Sequence, residues 1–139
     1  MIDDAPRAEW QKTLRQGKTV SMDGTVIAYE VLGEGKKTLL LANGLGGRLY
    51  AWQPLIDRFW RTHRIITWDY RGLFDSAEVA TGGRRLAMNH HVEDAEAILR
   101  AESVGRAVLI GWSMGVQVSL DVAATNPELV AGLVLINGT

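Results

Sequence analysis

Residues 107–120, AVLIGWSMGVQVSL, decide the fold class of this chain. The aliphatic run at 107–110 is short and continuous, which is typical of a strand covered on both faces of a sheet. The run stops at GWSMG (residues 111–115), where a serine lies between two glycines, and an apolar segment then resumes. The pattern predicts a buried strand, a sharp turn that presents Ser113, and a second buried element.

The second element can be interpreted in two ways. Its apolar residues at positions 116, 118, 120 and 122 alternate, which taken alone favours a strand. Ala123 and Ala124 break the alternation, and Asn126-Pro127 is a typical end for a helix. We therefore predict a helix that is apolar on most sides and deeply buried.

Strand and helix patterns alternate along the rest of the chain. Asp23-Gly24 between alternating apolar residues predicts a hairpin that begins near Val20, and apolar runs at 38–42, 64–68 and 129–136 predict further strands. Helical spacing occurs at 52–59 and 88–99, and residues 71–85 are predicted to form a polar loop. This order predicts an α/β fold with an N-terminal β-hairpin, a mostly parallel sheet and helices on both faces.

Composition excludes several classes of function. The 139 residues fit one domain, which we place at 18–139 after an N-terminal extension at 1–17. Lys and Arg number 15 against 16 Asp and Glu, so neither nucleic acid nor a membrane is an expected partner. The lack of cysteine rules out disulfides, thiol catalysis and cysteine metal sites, and no metal is expected. Because we find neither a signal-like segment nor a membrane-length apolar run, we expect a cytoplasmic protein.

Glycine-rich and polar clusters follow the predicted strands, and in parallel sheets sites form at the carboxyl ends of strands. GWSMG has the form G-x-S-x-G, in which the serine sits on a strained strand-to-helix turn and exposes its Oγ. We expect that a Cβ at Gly111 or Gly115 would collide with neighbouring backbone. The free N–H groups of the following helix favour a developing oxyanion. The alternative is a tight connection whose serine merely faces solvent.

The cluster NGLGG (residues 43–47) is the second candidate. Gly44 and Gly46 would let backbone N–H groups approach a ligand closely, as in an oxyanion loop, whereas the alternative is a plain turn. A strand, a glycine loop, a helix and then Asp69 also fit a dinucleotide-binding unit. That pattern fails because Leu49 occupies the position of the third glycine in G-x-G-x-x-G.

Three motifs in this order resemble the α/β-hydrolase fold superfamily of the serine hydrolase type: NGLGG, DYRG (residues 69–72) and GWSMG. The resemblance runs from about residue 20 to residue 137, the N-terminal portion of such a fold without its last strands. It implies Ser113 as the nucleophile and the backbone N–H groups of Leu45 and Met114 as the oxyanion hole. It implies Asp69 and Arg71 as structural residues of a turn, and it implies no cofactor.

The sequence departs from the family pattern at four positions. Asn43 stands where histidine is frequent, Phe74 where the turn usually has a second glycine, Val116 where glycine is frequent, and Trp112 where histidine is frequent. Trp112 and Phe74 are therefore expected in the wall of the substrate pocket. The substrate stays open.

A serine nucleophile needs a base, and in this fold an acid and then a histidine follow it in the chain. No histidine follows Ser113, and the acids after it, Asp121 and Glu128, are predicted to lie away from the strand ends. His63 precedes a strand and so lies at the opposite edge of the sheet. His90 and His91 are predicted to be partly exposed helix residues.

These observations predict the N-terminal part of a cofactor-free serine hydrolase that acts on a small-molecule ester, lactone or related acyl compound. The 139-residue chain is expected to be inactive by itself, with its acid and base supplied beyond residue 139. The alternative is a non-catalytic, hydrolase-like binding or interaction module. In either case the last apolar strand would offer an unpaired edge, which predicts self-association through that strand.

Overall fold

A computed structural model describes residues 8–77 and 87–138 of the chain. Residues 1–7, 78–86 and 139 lie outside this description, so part of the predicted 71–85 loop and of the N-terminal extension lies outside it too. The strands are β1 (Arg15–Val20), β2 (Val26–Leu32), β3 (Lys37–Ala42), β4 (His63–Trp68), β5 (Ala107–Trp112) and β6 (Val130–Ile136). The α-helices are α1 (Gln53–Phe59), α2 (Met88–Ala101) and α3 (Met114–Thr125). Short 3-10 helices occur at Glu9–Thr13, Leu49–Trp52, Phe74–Ser76 and Pro127–Leu129.

The strands form one mixed sheet in the order β1-β2-β4-β3-β5-β6. The N-terminal hairpin β1-β2 is antiparallel, β2 pairs antiparallel with β4, and the remaining three pairings are parallel. The predicted α/β class, hairpin and mostly parallel sheet are therefore confirmed. The first strand begins at Arg15, which pairs with Val31, so the predicted boundary between residues 17 and 18 falls inside β1.

Helices cover both faces of the sheet, as predicted. On one face α2 and α3 pack against Leu40, Ile66 and Leu109. On the other face α1 and the N-terminal 3-10 helix contribute Ile56 and Trp10 to a second core cluster. Because the central strands are buried on both faces, they are almost continuously apolar, which is the pattern that made them recognisable in the sequence.

The segment after Ser113 is a helix, as predicted, but it is not deeply buried on all sides. Val118, Ser119 and Val122 face the core, whereas Leu120 is 40% exposed. The solvent side carries a hydrogen bond of 2.8 Å from Gln117 Nε2 to Asp121 Oδ1. The alternating apolar residues at 116–122 therefore comprise the buried face of a helix and one apolar residue, Leu120, on its exposed side.

Within the ranges that the structure describes, the helices are all too short or too polar to cross a membrane.

Candidate active site

Ser113 is the single residue between β5 and α3. Its backbone has φ 54° and ψ −115°, a conformation that residues with a side chain rarely adopt and that costs about 1–3 kcal/mol. Two backbone hydrogen bonds of 3.0 Å hold it, from Ser113 N–H to the Ile136 carbonyl and from Val116 N–H to the Ser113 carbonyl. The serine is thus fixed at the N-terminus of α3, where unsatisfied N–H groups and the helix dipole favour negative charge.

The two glycines of GWSMG are required by close backbone contacts, as predicted. A Cβ added to Gly111 would lie 2.3 Å from the Gly115 carbonyl oxygen, and one added to Gly115 would lie 1.9 Å from the Ala42 carbonyl oxygen. Ala42 is the last residue of β3. The first turn of α3 therefore rests on the end of β3, which brings Ser113 close in the fold to the glycine loop that follows that strand.

The glycine loop is a tight turn over residues 44–47. Gly47 N–H donates to the Gly44 carbonyl over 2.9 Å, and Gly46 has φ +77°, which favours glycine. The Leu45 side chain at the tip is 74% exposed. On one side the Trp112 ring covers the turn, because a Cβ on Gly44 or Gly47 would lie 3.1–3.2 Å from ring atoms. The structure thus brings Trp112, the residue before Ser113, against Gly44, the residue before Leu45.

Asn43 fastens the base of this turn. Its Nδ2 donates to Thr67 Oγ1 over 3.1 Å and to the Trp68 carbonyl over 3.0 Å. Its Oδ1 accepts from Trp52 Nε1 over 2.6 Å, and its carbonyl accepts from the Tyr70 hydroxyl. The sequence marked Asn43 only as a departure from the family pattern, and this bonding role was missed. The signal was present, since a buried amide directly after an apolar strand must satisfy several hydrogen bonds.

The DYRG turn is organised by a buried arginine. Arg71 Nε and Nη2 donate to the two carboxylate oxygens of Asp94 over 2.8 and 2.6 Å, and Nη1 donates to Asp23 over 2.8 Å. The hydrogen bond from Arg71 holds the pKa of Asp23 well below its usual range, although burial opposes this shift. Asp94 was missed in the sequence, where an acid among the buried positions of α2 was the available signal.

Asp69 of the same turn is linked to the glycine loop. Its Oδ2 accepts from Arg48 Nη2 over 3.2 Å and from the backbone N–H of Asp75 over 3.1 Å. Arg48 also lies 4.5 Å above the ring of Phe74. Phe74 has φ 47°, in the left-handed region, which accounts for the glycine that the family pattern has at this position.

Of the two predicted pocket-wall residues, one borders a cleft. Trp112 lines an apolar cleft of about 240 Å³. Phe74 is not among the residues of that cleft and instead packs beneath Arg48. The residues that line the cleft are Ala51, Trp52, Pro54, Leu55, Trp112 and Ile136.

The three histidines contact residues other than Ser113 in the described part of the chain. His63 begins β4, and its Nδ1 lies 2.8 Å from Thr62 Oγ1, while His90 pairs with Glu93 over 3.1 Å. The prediction of partial exposure is wrong for His91, which is 4% exposed. The reason is the rotation of α2, which directs the His91 ring against Tyr70 with 5.1 Å between ring centroids.

No side chain within residues 8–77 and 87–138 hydrogen-bonds to Ser113 Oγ. Asp121 bonds instead to Gln117 on the surface of α3, and Glu128 is exposed in the 3-10 helix before β6. The same ranges contain no cluster of three His, Asp or Glu residues that could hold a metal ion.

The order of these elements agrees with a known family. Residues 37–139 match the sequence model of the alpha/beta hydrolase fold. The chain belongs to this family. The dinucleotide-binding interpretation is thereby set aside, and Leu49, which broke its glycine pattern, is a buried core residue.

Relatives of the α/β-hydrolase chain include proteins that carry the name carbamate hydrolase RutD. It is 36% identical to the one from Variovorax paradoxus over 78% of this chain and 41% of that protein. It is 31% identical to the one from Serratia proteamaculans over 79% of this chain and 42% of that protein. The chain thus spans less than half the length of these relatives.

Solved structures give the same result for the fold. A hydrolase from Pseudomonas aeruginosa is 28% identical and superposes with a TM-score of 0.82, over 90% of this chain and 46% of that one. An alpha/beta hydrolase from Sphaerobacter thermophilus is 30% identical, with a TM-score of 0.73 over 86% and 44% of the two chains. The α/β-hydrolase chain therefore spans less than half the length of these structures as well.

Proposed function

We propose that this chain is the nucleophile-bearing part of a cofactor-free serine hydrolase, with Ser113 as the nucleophile. The observation that carries the proposal is the strained backbone of Ser113 at φ 54°, held between the end of β5 and the start of α3. Strain of this kind persists where the surrounding structure fixes it, and it serves to present a reactive group. A surface serine in an ordinary connection has no need of it.

The proposed reaction proceeds in two steps. Ser113 Oγ attacks the substrate carbonyl carbon while a base takes the hydroxyl proton, and the leaving group departs with a proton to give an acyl-enzyme. Water then attacks the acyl carbon, loses a proton to the same base, and releases the acid and the free serine. Each tetrahedral intermediate places a negative charge on the former carbonyl oxygen, which we assign to the N–H groups of Met114 and Leu45.

The base and acid of this reaction are proposed to come from outside the 139 residues. This part of the proposal is supported by two observations. No histidine side chain in the described residues bonds to Ser113 Oγ, and the relatives are more than twice as long as the matched region. The chain by itself is therefore proposed to be inactive.

The substrate class proposed is an ester, lactone or related acyl compound. A carbamate falls within this class because it also offers a carbonyl carbon bonded to a leaving oxygen or nitrogen, and the name of the relatives makes it the first compound to test. No cofactor is required, since both steps transfer only protons and an acyl group.

A second candidate function is a non-catalytic binding or interaction module. The observation that favours it is the same lack of a bonded base at Ser113 within the described residues. In this case the turn at Ser113 would be kept for the fold, and β6 would serve for contact with a partner.

A covalent probe separates the two candidates. The coding sequence downstream of codon 139 is read first, and the full-length protein is treated with a fluorophosphonate and tested for hydrolysis of a carbamate and of a p-nitrophenyl ester. We expect labelling of Ser113 by mass spectrometry and turnover, both lost in Ser113→Ala. A full-length protein in which wild type and Ser113→Ala behave alike would establish the non-catalytic alternative.

A further inference from the structure

We propose that Asn43 is a positioning residue that fixes the direction of the Leu45 N–H group for the oxyanion, an inference that rests on the proposed function. Asn43 touches neither substrate nor reacting atoms in this assignment. Asn43 acts through the turn at residues 44–47, which follows it directly in the chain. The site then includes the Asn43 side chain, which orients the Leu45 N–H group, in addition to the groups that contact the substrate.

The turn depends on hydrogen bonds at its base because few interactions within the turn itself stabilise its conformation. Among the described residues, the one backbone hydrogen bond within it joins Gly47 N–H to the Gly44 carbonyl. Gly44, Gly46 and Gly47 impose little conformational preference, and the side chain of Leu45 packs against little, since it is 74% exposed. The direction of the Leu45 N–H therefore follows from how residue 43 is held.

The Asn43 side chain is held at all three of its polar positions. Both Nδ2 hydrogens are used on β4, by Thr67 Oγ1 and by the Trp68 carbonyl. Thr67 Oγ1 donates its own hydrogen to the Leu41 carbonyl over 3.0 Å, so towards Asn43 it can only accept. The Oδ1 atom is used by Trp52 Nε1. The amide orientation is thereby fixed, and only an amide satisfies all three partners.

Aspartate is nearly the same shape but cannot replace asparagine here. Its second oxygen would face two acceptors, Thr67 Oγ1 and the Trp68 carbonyl, at a site where Asn43 is 1% exposed. A buried carboxylate against two acceptors loses two hydrogen bonds and gains repulsion. Asn43→Asp is therefore the variant that removes the anchoring bonds to β4 while adding no cavity.

Trp52 connects the anchor to the far side of the turn. Its Nε1 bonds to Asn43, and its ring shares the apolar cleft with Trp112, which covers Gly44 and Gly47. The turn thus lies between a hydrogen-bonded amide and an indole ring. Trp52→Phe removes the hydrogen bond to Oδ1 and leaves both Asn43 bonds to β4 in place, so it gives a graded test; because Trp52 is buried, thermal unfolding measures the separate effect of the smaller ring.

The test uses the full-length enzyme with p-nitrophenyl acetate as the probe. Loss of an aligned oxyanion donor lowers kcat by about 10²–10³-fold, so we expect a decrease in kcat of about 10²-fold for Asn43→Asp and about 3–10-fold for Trp52→Phe. KM should stay within about twofold, because the donor acts mainly in the transition state. Amide hydrogen exchange in the peptide covering residues 44–48 should become faster in both variants.

The matched control is Tyr29→Phe, which also removes one hydrogen bond, the 2.6 Å bond from the Tyr29 hydroxyl to Glu102 at the C-terminal end of α2. It should lower the melting temperature comparably and leave kcat and exchange at 44–48 unchanged. If the wild type depends on Ser113 but the Asn43 and Trp52 variants lose no more kcat than Tyr29→Phe, the role of Asn43 is wrong and the proposed function stands. Equal rates for wild type and Ser113→Ala overturn the proposed function, and the inference falls with it.

Discussion

Gly115 of α3 and Ala42 at the end of β3 are in contact through their backbones. The contact is so close that a Cβ on Gly115 would lie 1.9 Å from the Ala42 carbonyl oxygen and 2.5 Å from its carbonyl carbon. Both atoms belong to the backbone of a central strand, so neither can move aside as a flexible side chain could. This contact couples the turn at Ser113 to the strand that leads into the glycine loop.

Substitution of Gly115 by alanine is therefore expected to destabilise the protein by about 3 kcal/mol or more, towards the upper end of overpacking costs. The helix propensity gained by alanine, about 1 kcal/mol, is too small to offset the collision. The free energy of unfolding, measured by urea denaturation, checks this expectation. The control is Gly105→Ala, because a Cβ at Gly105 meets no atom within 4 Å. Equal stabilities for the two variants would contradict the contact.

Removal of the guanidinium group of Arg71 should be more costly than removal of a surface charge. Arg71→Met would leave Asp94 and Asp23 buried without the cation that binds both, and breaking such a pair costs about 3–5 kcal/mol. Differential scanning calorimetry at neutral pH gives the readout. Arg58→Met, an exposed arginine on α1, is the control and should change stability by less than about 0.5 kcal/mol. A melting temperature within a degree of wild type for Arg71→Met would rule out a stabilising role.

Much of the fold could be predicted from the sequence because strand burial and turn chemistry are local. The runs at 39–42 and 107–110 are apolar at every position, and Asp23-Gly24 specifies its own hairpin. The predicted partial exposure of His91 was wrong and the role of Asp94 was not predicted, because tertiary contacts decide both. His91 and Asp94 look like surface residues by type, and they are buried because α2 turns them towards Tyr70 and Arg71.

The candidate site was predictable to a similar extent. The strained turn at Ser113 follows from two glycines and one serine at fixed spacing, which is chemistry that the sequence carries by itself. An amide directly after an apolar strand indicates that Asn43 needs hydrogen-bond partners, but no spacing in the sequence identifies those partners, which lie on separate elements. The positive φ of Phe74 was likewise indicated only by the absence of an expected glycine.

Glu102 should make stability depend on pH in the acid range. Hydrogen bonds, foremost from Arg15 and also from Tyr29, together with the charges of Arg15 and Arg64, lower the pKa of Glu102 to about 2 against the ordinary value of 4.5. Because the folded-state pKa is depressed, the stabilisation is fully present above pH 4.5 and is lost as the pH falls from 4.5 towards 2. We expect roughly 2 kcal/mol, allowing for solvent screening at half-exposed Arg15.

Urea midpoints between pH 6 and pH 2 measure this contribution. Glu102→Gln should be less stable than wild type at pH 6, and the difference should shrink as the pH approaches 2. Glu9→Gln is the control, because Glu9 pairs with Lys12 on the surface, with both side chains more than half exposed. A constant difference between Glu102→Gln and wild type across this range would show that the carboxylate has an ordinary pKa.

The edge strand β6 should cause the 139-residue chain to self-associate. Leu133, Val134, Leu135 and Ile136 are all 38–46% exposed, so both faces of the strand are partly open, and β6 is the last strand in the sheet order. An edge of this kind presents unpaired N–H and C=O groups next to apolar side chains, which favours pairing with another strand.

Val134→Lys places a charge on this edge and should shift the chain from oligomers to monomers in light scattering. Leu120→Lys adds the same charge on α3, where Leu120 is 40% exposed, and should leave the oligomers intact. Equal dissociation by both variants would assign the association to general surface hydrophobicity, and a monomeric wild type would exclude self-association through β6.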